Sequence, residues 1–108
     1  MKRIDKPWGY EEILVDDNGY LVKKLVLMDE TSTHYHSVRN ELLIPVIGEG
    51  AIMLDGNVLP LTPLTPVHVK KGVKHKIIPN RFLEVIEVSD SNVDDVVRVS
   101  DKYKRVKY

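Results

Sequence analysis

The 108-residue chain is predicted to fold as an all-β domain, a small barrel or sandwich of two antiparallel sheets. Three observations predict it. Short runs rich in Val, Ile and Leu recur along the whole length. Gly, Pro, Asn and Asp interrupt them at close intervals, the punctuation of tight turns. No stretch carries the 3.6-residue apolar period of an amphipathic helix.

In order, Lys6-Pro7-Trp8-Gly9-Tyr10 opens with an extended dipeptide, since a residue before proline is pushed out of the helical region, and with an aromatic anchor. Glu11 to Val15 has strand content, and Asp16-Asp17-Asn18-Gly19 reads as a hairpin turn. Tyr20 to Met28 follows as a strand in which Lys23 and Lys24 break strict alternation, and Asp29 to Thr33 reads as a loop. Leu42 to Ile47 is a buried strand ended by Gly48-Glu49-Gly50. Pro45 within it cannot donate to a ladder, so an edge or a bulge is expected there. Ala51 to Leu54 and Val58 to Leu61 flank an Asp55-Gly56 turn, and Thr62 to Pro66 is a proline-containing loop. Val67 to Val69, His75 to Ile78 and Phe82 to Val88 are further strands, parted by turns at Lys70-Lys71-Gly72 and Pro79-Asn80. In the third of these, Glu84 and Glu87 are expected to face outward. Asp94 to Val99 is a last extended segment, before a basic-aromatic tail from Lys102 to Tyr108.

Composition bounds the function. Hydrophobic residues make up 43% and charged residues 30%, with sixteen basic side chains balancing sixteen acidic ones. That balance gives no footprint for nucleic acid or an anionic membrane. The chain has no cysteine, which excludes disulfides, thiolate metal sites and a cysteine nucleophile. No run approaches membrane-spanning length, and the basic start has no apolar segment behind it. The expectation is a cytoplasmic single domain, 1–108, with an N-terminal strand or hairpin over 1–19, the barrel over 20–89 and a C-terminal extension over 90–108.

The chemistry concentrates in His34-Tyr35-His36-Ser37-Val38-Arg39-Asn40-Glu41. In a strand, residues i and i+2 share a face, roughly 7 Å apart at Cα, so two imidazoles can converge on one ion. Glu41 adds an oxygen ligand, and His75, opening its own strand, is the natural fourth. Imidazole with carboxylate suits divalent zinc, iron, manganese or nickel, with positions left open for a substrate. Tyr35, between the two histidines, points away from them. His68 is expected on the barrel wall, and Trp8 and Tyr10 as packing anchors. Arg39 is either a surface charge paired with Glu41 or Asp29, or a guanidinium holding a phosphate or carboxylate. Lys74 and Lys76 face opposite to His75. Lys102, Lys104, Arg105 and Lys107 are read as solvent-facing or paired with Asp94 and Asp95.

These residues resemble the cupin family. His34-x-His36, Glu41 and Gly48 stand at the spacing of its first motif, and Gly72-x-x-His75 matches its second. Lys70 stands where proline is usual, Pro79 where asparagine is usual, and Met28 where the first motif begins with glycine. Within cupins the chain resembles the cupin domain of type II mannose-6-phosphate isomerases, often fused to mannose-1-phosphate guanylyltransferases. The likeness runs through Lys6-Pro-Trp-Gly9, Leu54-Asp-Gly56, Gly72-x-Lys-His75, Leu83 to Val88 and Asp94-Asp-Val-Val-Arg98. That family's signature, Gln-x-His-His-His-Arg-x-Glu-His-Trp, becomes His34-Tyr-His36-Ser-Val-Arg39-Asn-Glu41-Leu-Leu. The resemblance implies a jelly-roll-like barrel and a divalent metal on His34, His36, Glu41 and His75. It further implies a sugar-phosphate or related ligand, isomerase or epimerase chemistry with Arg39 as a catalytic residue, and a homodimer. A non-enzymatic sugar-binding cupin and a three-His-one-Glu oxygenase are the alternatives.

Overall fold

A computed structural model describes residues 2–17, 19–90 and 94–104. Asn18 of the expected hairpin turn, and Arg105 and Lys107 of the tail, lie outside them. The described residues form nine strands and no helix: β1 Lys2–Lys6, β2 Gly9–Asp17, β3 Tyr20–Leu27, β4 Thr33–His36, β5 Glu41–Leu54, β6 Asn57–Leu61, β7 Val67–Val69, β8 His75–Ser89 and β9 Val96–Ser100. Every pairing is antiparallel.

Two long strands run through both layers of the curled sheet. The first part of β5 and the last part of β8 pair from Glu41↔Ser89 to Gly48↔Leu83, and join β7 on one side and β3, β2 and β1 on the other. The rest of β5 pairs with the start of β8 from Gly50↔Pro79 to Leu54↔His75, flanked by β6 and by β4 and β9. Gly48-Glu49-Gly50 and Pro79-Asn80 were expected to end strands. They bend them instead, because ladder pairing continues on both sides of each. The register slips between Pro45 and Ile47 and again between Gly48 and Gly50, bulges that sharpen local twist and turn a strand between layers. A Cβ on Gly48, at φ +94°, would stand 2.1 Å from the Phe82 carbonyl oxygen. Only glycine permits that approach.

Within the N-terminal strand or hairpin expected over 1–19, the bounds of β1 were not set by any local pattern. Its sequence, Lys-Arg-Ile-Asp-Lys, has little apolar patterning and is held by register with β2 from Lys2↔Ile13 to Lys6↔Gly9. The Asp55-Gly56 hairpin is as expected, with both residues at positive φ, the geometry of a type I′ turn. Between the layers, Trp8, Leu25, Leu27, Leu43, Ile52, Leu61, Val69, Ile77, Leu83 and Val85 form one buried cluster. That apolar mass holds the two layers at a fixed separation. At one end of the barrel the filling becomes polar.

Candidate metal centre

The polar end is a cavity of about 340 Å³ whose walls include His34, His36, Arg39, Glu41, His75, Glu87 and Arg98. His34 and His36, alternate residues of β4, face inward together. His75 stands across from His34 in the ladder, with ring centroids 4.3 Å apart. The three imidazoles offer nitrogens that all lie within 4.8 Å of one another. Glu41 comes from the opposite layer, with Oε1 at 2.7 Å from His36 Nε2 and 3.5 Å from His75 Nε2. Neither Glu41 oxygen has an aligned hydrogen-bond donor, although both are buried. The ring N–H vectors therefore point elsewhere.

The outer nitrogens explain where those vectors point. His34 Nδ1 lies 2.9 Å from the Ser32 carbonyl oxygen and His75 Nδ1 lies 3.0 Å from that of Val73. A carbonyl only accepts, so Nδ1 carries the proton in each ring and Nε2 presents its lone pair inward. This is the outer-shell arrangement that orients metal-binding histidines. Burial, and then the neighbouring His75, push the His34 pKa down to about 3, so its imidazole is neutral at physiological pH. Burial opposes ionisation of Glu41, but His36, His75 and Glu87 outweigh it and hold that carboxyl well below its usual range. A neutral His34 imidazole with an ionised Glu41 carboxylate matches the donor set of a divalent ion. His34, His36, His75 and Glu41 are the residues that could hold one.

His36 is held by Asp95, which sequence reasoning had paired with the basic tail. Asp95 Oδ2 accepts the Val38 and Arg39 backbone N–H groups, each at 2.8 Å, which fixes the turn between β4 and β5. Its Oδ1 lies 2.9 Å from Arg39 Nε and 3.3 Å from His36 Nδ1. Burial would raise the Asp95 pKa, but those backbone N–H groups and the guanidinium outweigh it and hold it low. Arg39 is buried, its partner is Asp95, and its Nε also lies 3.1 Å from His36 Nδ1. One ring nitrogen cannot accept from Arg39 and donate to Asp95 at once. With Nε2 free for a ligand bond, Nδ1 carries the proton and Asp95 is its acceptor.

Two further groups were missed. Glu87 was expected to face outward, yet Leu83, Val85 and Glu87 share the inner face, as alternation requires, and Glu87 is buried. Burial, and then the Glu41 carboxylate beside it, raise its pKa well above the usual range, which favours its protonated form. Its Oε2 accepts the Ser89 hydroxyl at 3.2 Å. Lys23, its cross-strand partner, also lines the cavity, 3.2 Å from Glu11. Alternation alone carried both signals.

Elsewhere, Lys74 is exposed, Lys76 pairs with Glu30 at 2.9 Å, and Lys102 pairs with Asp29 at 2.7 Å instead of with Asp94 or Asp95. Trp8 is buried against the cavity, Tyr10 stacks under Arg3, and His68 is exposed on the outer face of β7.

Comparison with known proteins agrees with this architecture. The mannose-1-phosphate guanylyltransferase of Salmonella montevideo is 34% identical over 113 residues, covering 96% of this chain and 24% of that protein. The chain thus spans about a quarter of the length of the curated relatives it matches. A cupin 2 domain-containing protein from Halorhodospira halophila superposes with TM-score 0.74 at 22% identity, over 82% of this chain and 67% of that one. Streptomyces Pac13, a nucleoside dehydratase, superposes with TM-score 0.79 at 14% identity, over 93% and 85%. Both show the barrel. The family model described as mannose-6-phosphate isomerase C-terminal matches residues 1–101, and the chain is therefore a cupin of the mannose-6-phosphate isomerase C-terminal family.

Proposed function

We propose that the domain binds a divalent metal on His34, His36, Glu41 and His75 and acts on a sugar phosphate or related sugar by metal-assisted proton transfer. One observation carries the reading. Three imidazoles, two with Nδ1 tied to a backbone carbonyl, converge with a buried carboxylate that has no aligned hydrogen-bond donor. A bound divalent ion would supply Lewis-acid polarisation of the sugar oxygens. The chain's own residues do the remaining work. Asp95 orients His36, Arg39 is fixed beside both, and Glu87 keeps a proton on the wall next to Glu41. Trp8, Leu25, Leu43 and Ile77 supply the apolar part of the cavity lining.

The departures from the isomerase signature bear little on this chemistry. Ser37 and Val38 are exposed in the turn, and Leu42 lies on the outer face of β5. Leu43, at the tryptophan position, and His34, at the glutamine position, line the cavity, and His34 keeps a ligand atom there. A homodimer belongs to the same reading, since Val15, Val22, Val88 and Leu42 form one apolar cross-strand row on the outer face. Light scattering that gives the mass of one chain at micromolar concentration would exclude it.

The metal part is tested by elemental analysis of the purified protein and by titration with zinc, manganese, nickel and iron. Binding near one equivalent is expected, and none with any of them ends the proposal. The reaction is tested by aldose–ketose interconversion of mannose 6-phosphate in the metal-loaded protein. Turnover is expected. A melting temperature raised by mannose 6-phosphate without conversion would instead assign ligand binding, a reading favoured by the guanylyltransferase names of the curated relatives.

A further inference from the structure

Four cations line the cavity: Lys6, Lys23, Arg39 and Arg98. Three of them have carboxylate partners. Glu11 stands 3.2 Å from Lys23 and 4.0 Å from Lys6, and Asp95 holds Arg39 Nε. Arg98 differs. Its Nε is buried and has no hydrogen-bond partner, and among the described residues its side chain forms no salt bridge. Asp94, which also lines the cavity, does not pair with it among the described residues. A buried, charged donor left unsatisfied is costly, and native structures rarely carry one without a use for it.

Its place in the ladder says what the use is. Arg98 of β9 stands across from His34 of β4, and His34 stands across from His75 of β8. Arg98, His34 and His75 thus form one cross-strand row in a sheet whose strands lie roughly 5 Å apart. A ligand that reaches the imidazoles can therefore place an anionic group on the guanidinium without leaving the cavity. The guanidinium's planar fork matches phosphate and carboxylate geometry.

We infer that Arg98 is the anion-holding residue of this cavity, receiving the phosphate or carboxylate of a small ligand whose other end lies at the three histidines. The inference deepens the sugar-phosphate reading and rests on it only for what the ligand's other end touches. It moves the anion-holding role considered for Arg39 to Arg98, because Arg39 Nε is already committed to Asp95.

The test is calorimetric titration of inorganic phosphate, mannose 6-phosphate, glucuronate and neutral mannose into wild type, Arg98→Gln and Arg98→Lys, each with and without zinc. Zinc content and the urea midpoint are measured for every variant. Arg98→Gln is expected to weaken binding of the preferred anion roughly tenfold or more, the loss that follows removal of a charge-assisted donor. Mannose binding and zinc content should not change. Arg98→Lys, which keeps the charge but not the fork, should fall between. Whichever of mannose 6-phosphate and glucuronate shows the larger loss identifies the anion as phosphate or carboxylate. Equal anion affinity in wild type and both folded variants overturns the inference, as does a wild type that binds no anion in either state. A protein that takes up no zinc but still loses anion affinity in Arg98→Gln would sink the metal reading and leave this one standing.

Discussion

Asp95→Asn offers the sharpest probe of how the centre is held together. The substitution is nearly isosteric and keeps one carbonyl oxygen, which can still accept the Val38 and Arg39 backbone N–H groups now bound at 2.8 Å. The other side becomes an amide N–H₂ group facing Arg39 Nε at 2.9 Å and His36 Nδ1 at 3.3 Å. Donor then meets donor at Arg39, and His36 loses the acceptor that lets Nδ1 carry the proton while Nε2 faces the cavity. Disrupting an outer-shell partner of a metal-bound histidine costs about 10–100-fold in metal affinity, or about 1.4–2.8 kcal/mol. Loss of the buried ion pair with Arg39 should further destabilise the fold by about 3 kcal/mol, the lower end of the range for breaking such a pair. The assay is competition for zinc against a chromophoric chelator, run beside urea unfolding of the metal-free protein. Zinc affinity within twofold of wild type, in a variant that is measurably destabilised, would refute the claim that Asp95 acts through His36. It would leave Asp95 as a device of the turn alone.

Glu41→Gln keeps the shape but removes the charge, and should reduce zinc affinity by at least as much as Asp95→Asn, read by the same competition. His34 makes acid sensitivity predictable in the metal-free protein. The unfolded chain takes up a proton below about pH 6.5, whereas the folded chain resists until about pH 3. That contribution is full above pH 6.5 and is lost as pH falls towards 3, so at pH 5 wild type should have lost about 2 kcal/mol more than His34→Gln. Urea midpoints in chelator at pH 7.5 and 5 measure it, and parallel losses in the two proteins would contradict the linkage. Gly48→Ala meets the Phe82 carbonyl at 2.1 Å with φ at +94°, and should cost about 2–5 kcal/mol from strain and overpacking. A urea midpoint within error of wild type would refute the tight approach.

Much of the site could be read because a strand has a period of two. That period placed His34 and His36 on one face, turned Tyr35 away, and kept Lys74 and Lys76 off the face of His75. The same rule also carried Glu87, three residues after Glu84 and therefore on the other face, but a carboxylate at the end of an apolar strand suggests solvent. What reverses that is Glu41 on the neighbouring strand, which no local window contains. Asp95 is hidden for the same reason. It is fifty-nine residues from His36, and its neighbour Asp94 and the basic tail supply a plausible local partner for it. The strand ends failed differently. Gly and Pro mark places where a lone strand would stop, yet in β5 and β8 the flanking strands keep pairing through Gly50↔Pro79, so the chain turns without leaving the ladder. Strand β1 had no signal of its own, since the register with β2 creates it.

Those bends also explain why the centre lies where it does. The imidazoles belong to one layer, on β4 and the start of β8, and the carboxylates belong to the other, on the start of β5 and the end of β8. No single layer holds the full donor set. β8 supplies His75 to one wall and Glu87 to the opposite one, so its change of layer at Pro79-Asn80 is what sets imidazole against carboxylate. The apolar cluster around Leu27, Ile52 and Leu83, each fully buried, then keeps the walls apart by close packing, which tolerates neither added nor missing volume. Geometry at the candidate metal ligands is in this way determined by residues that never touch them.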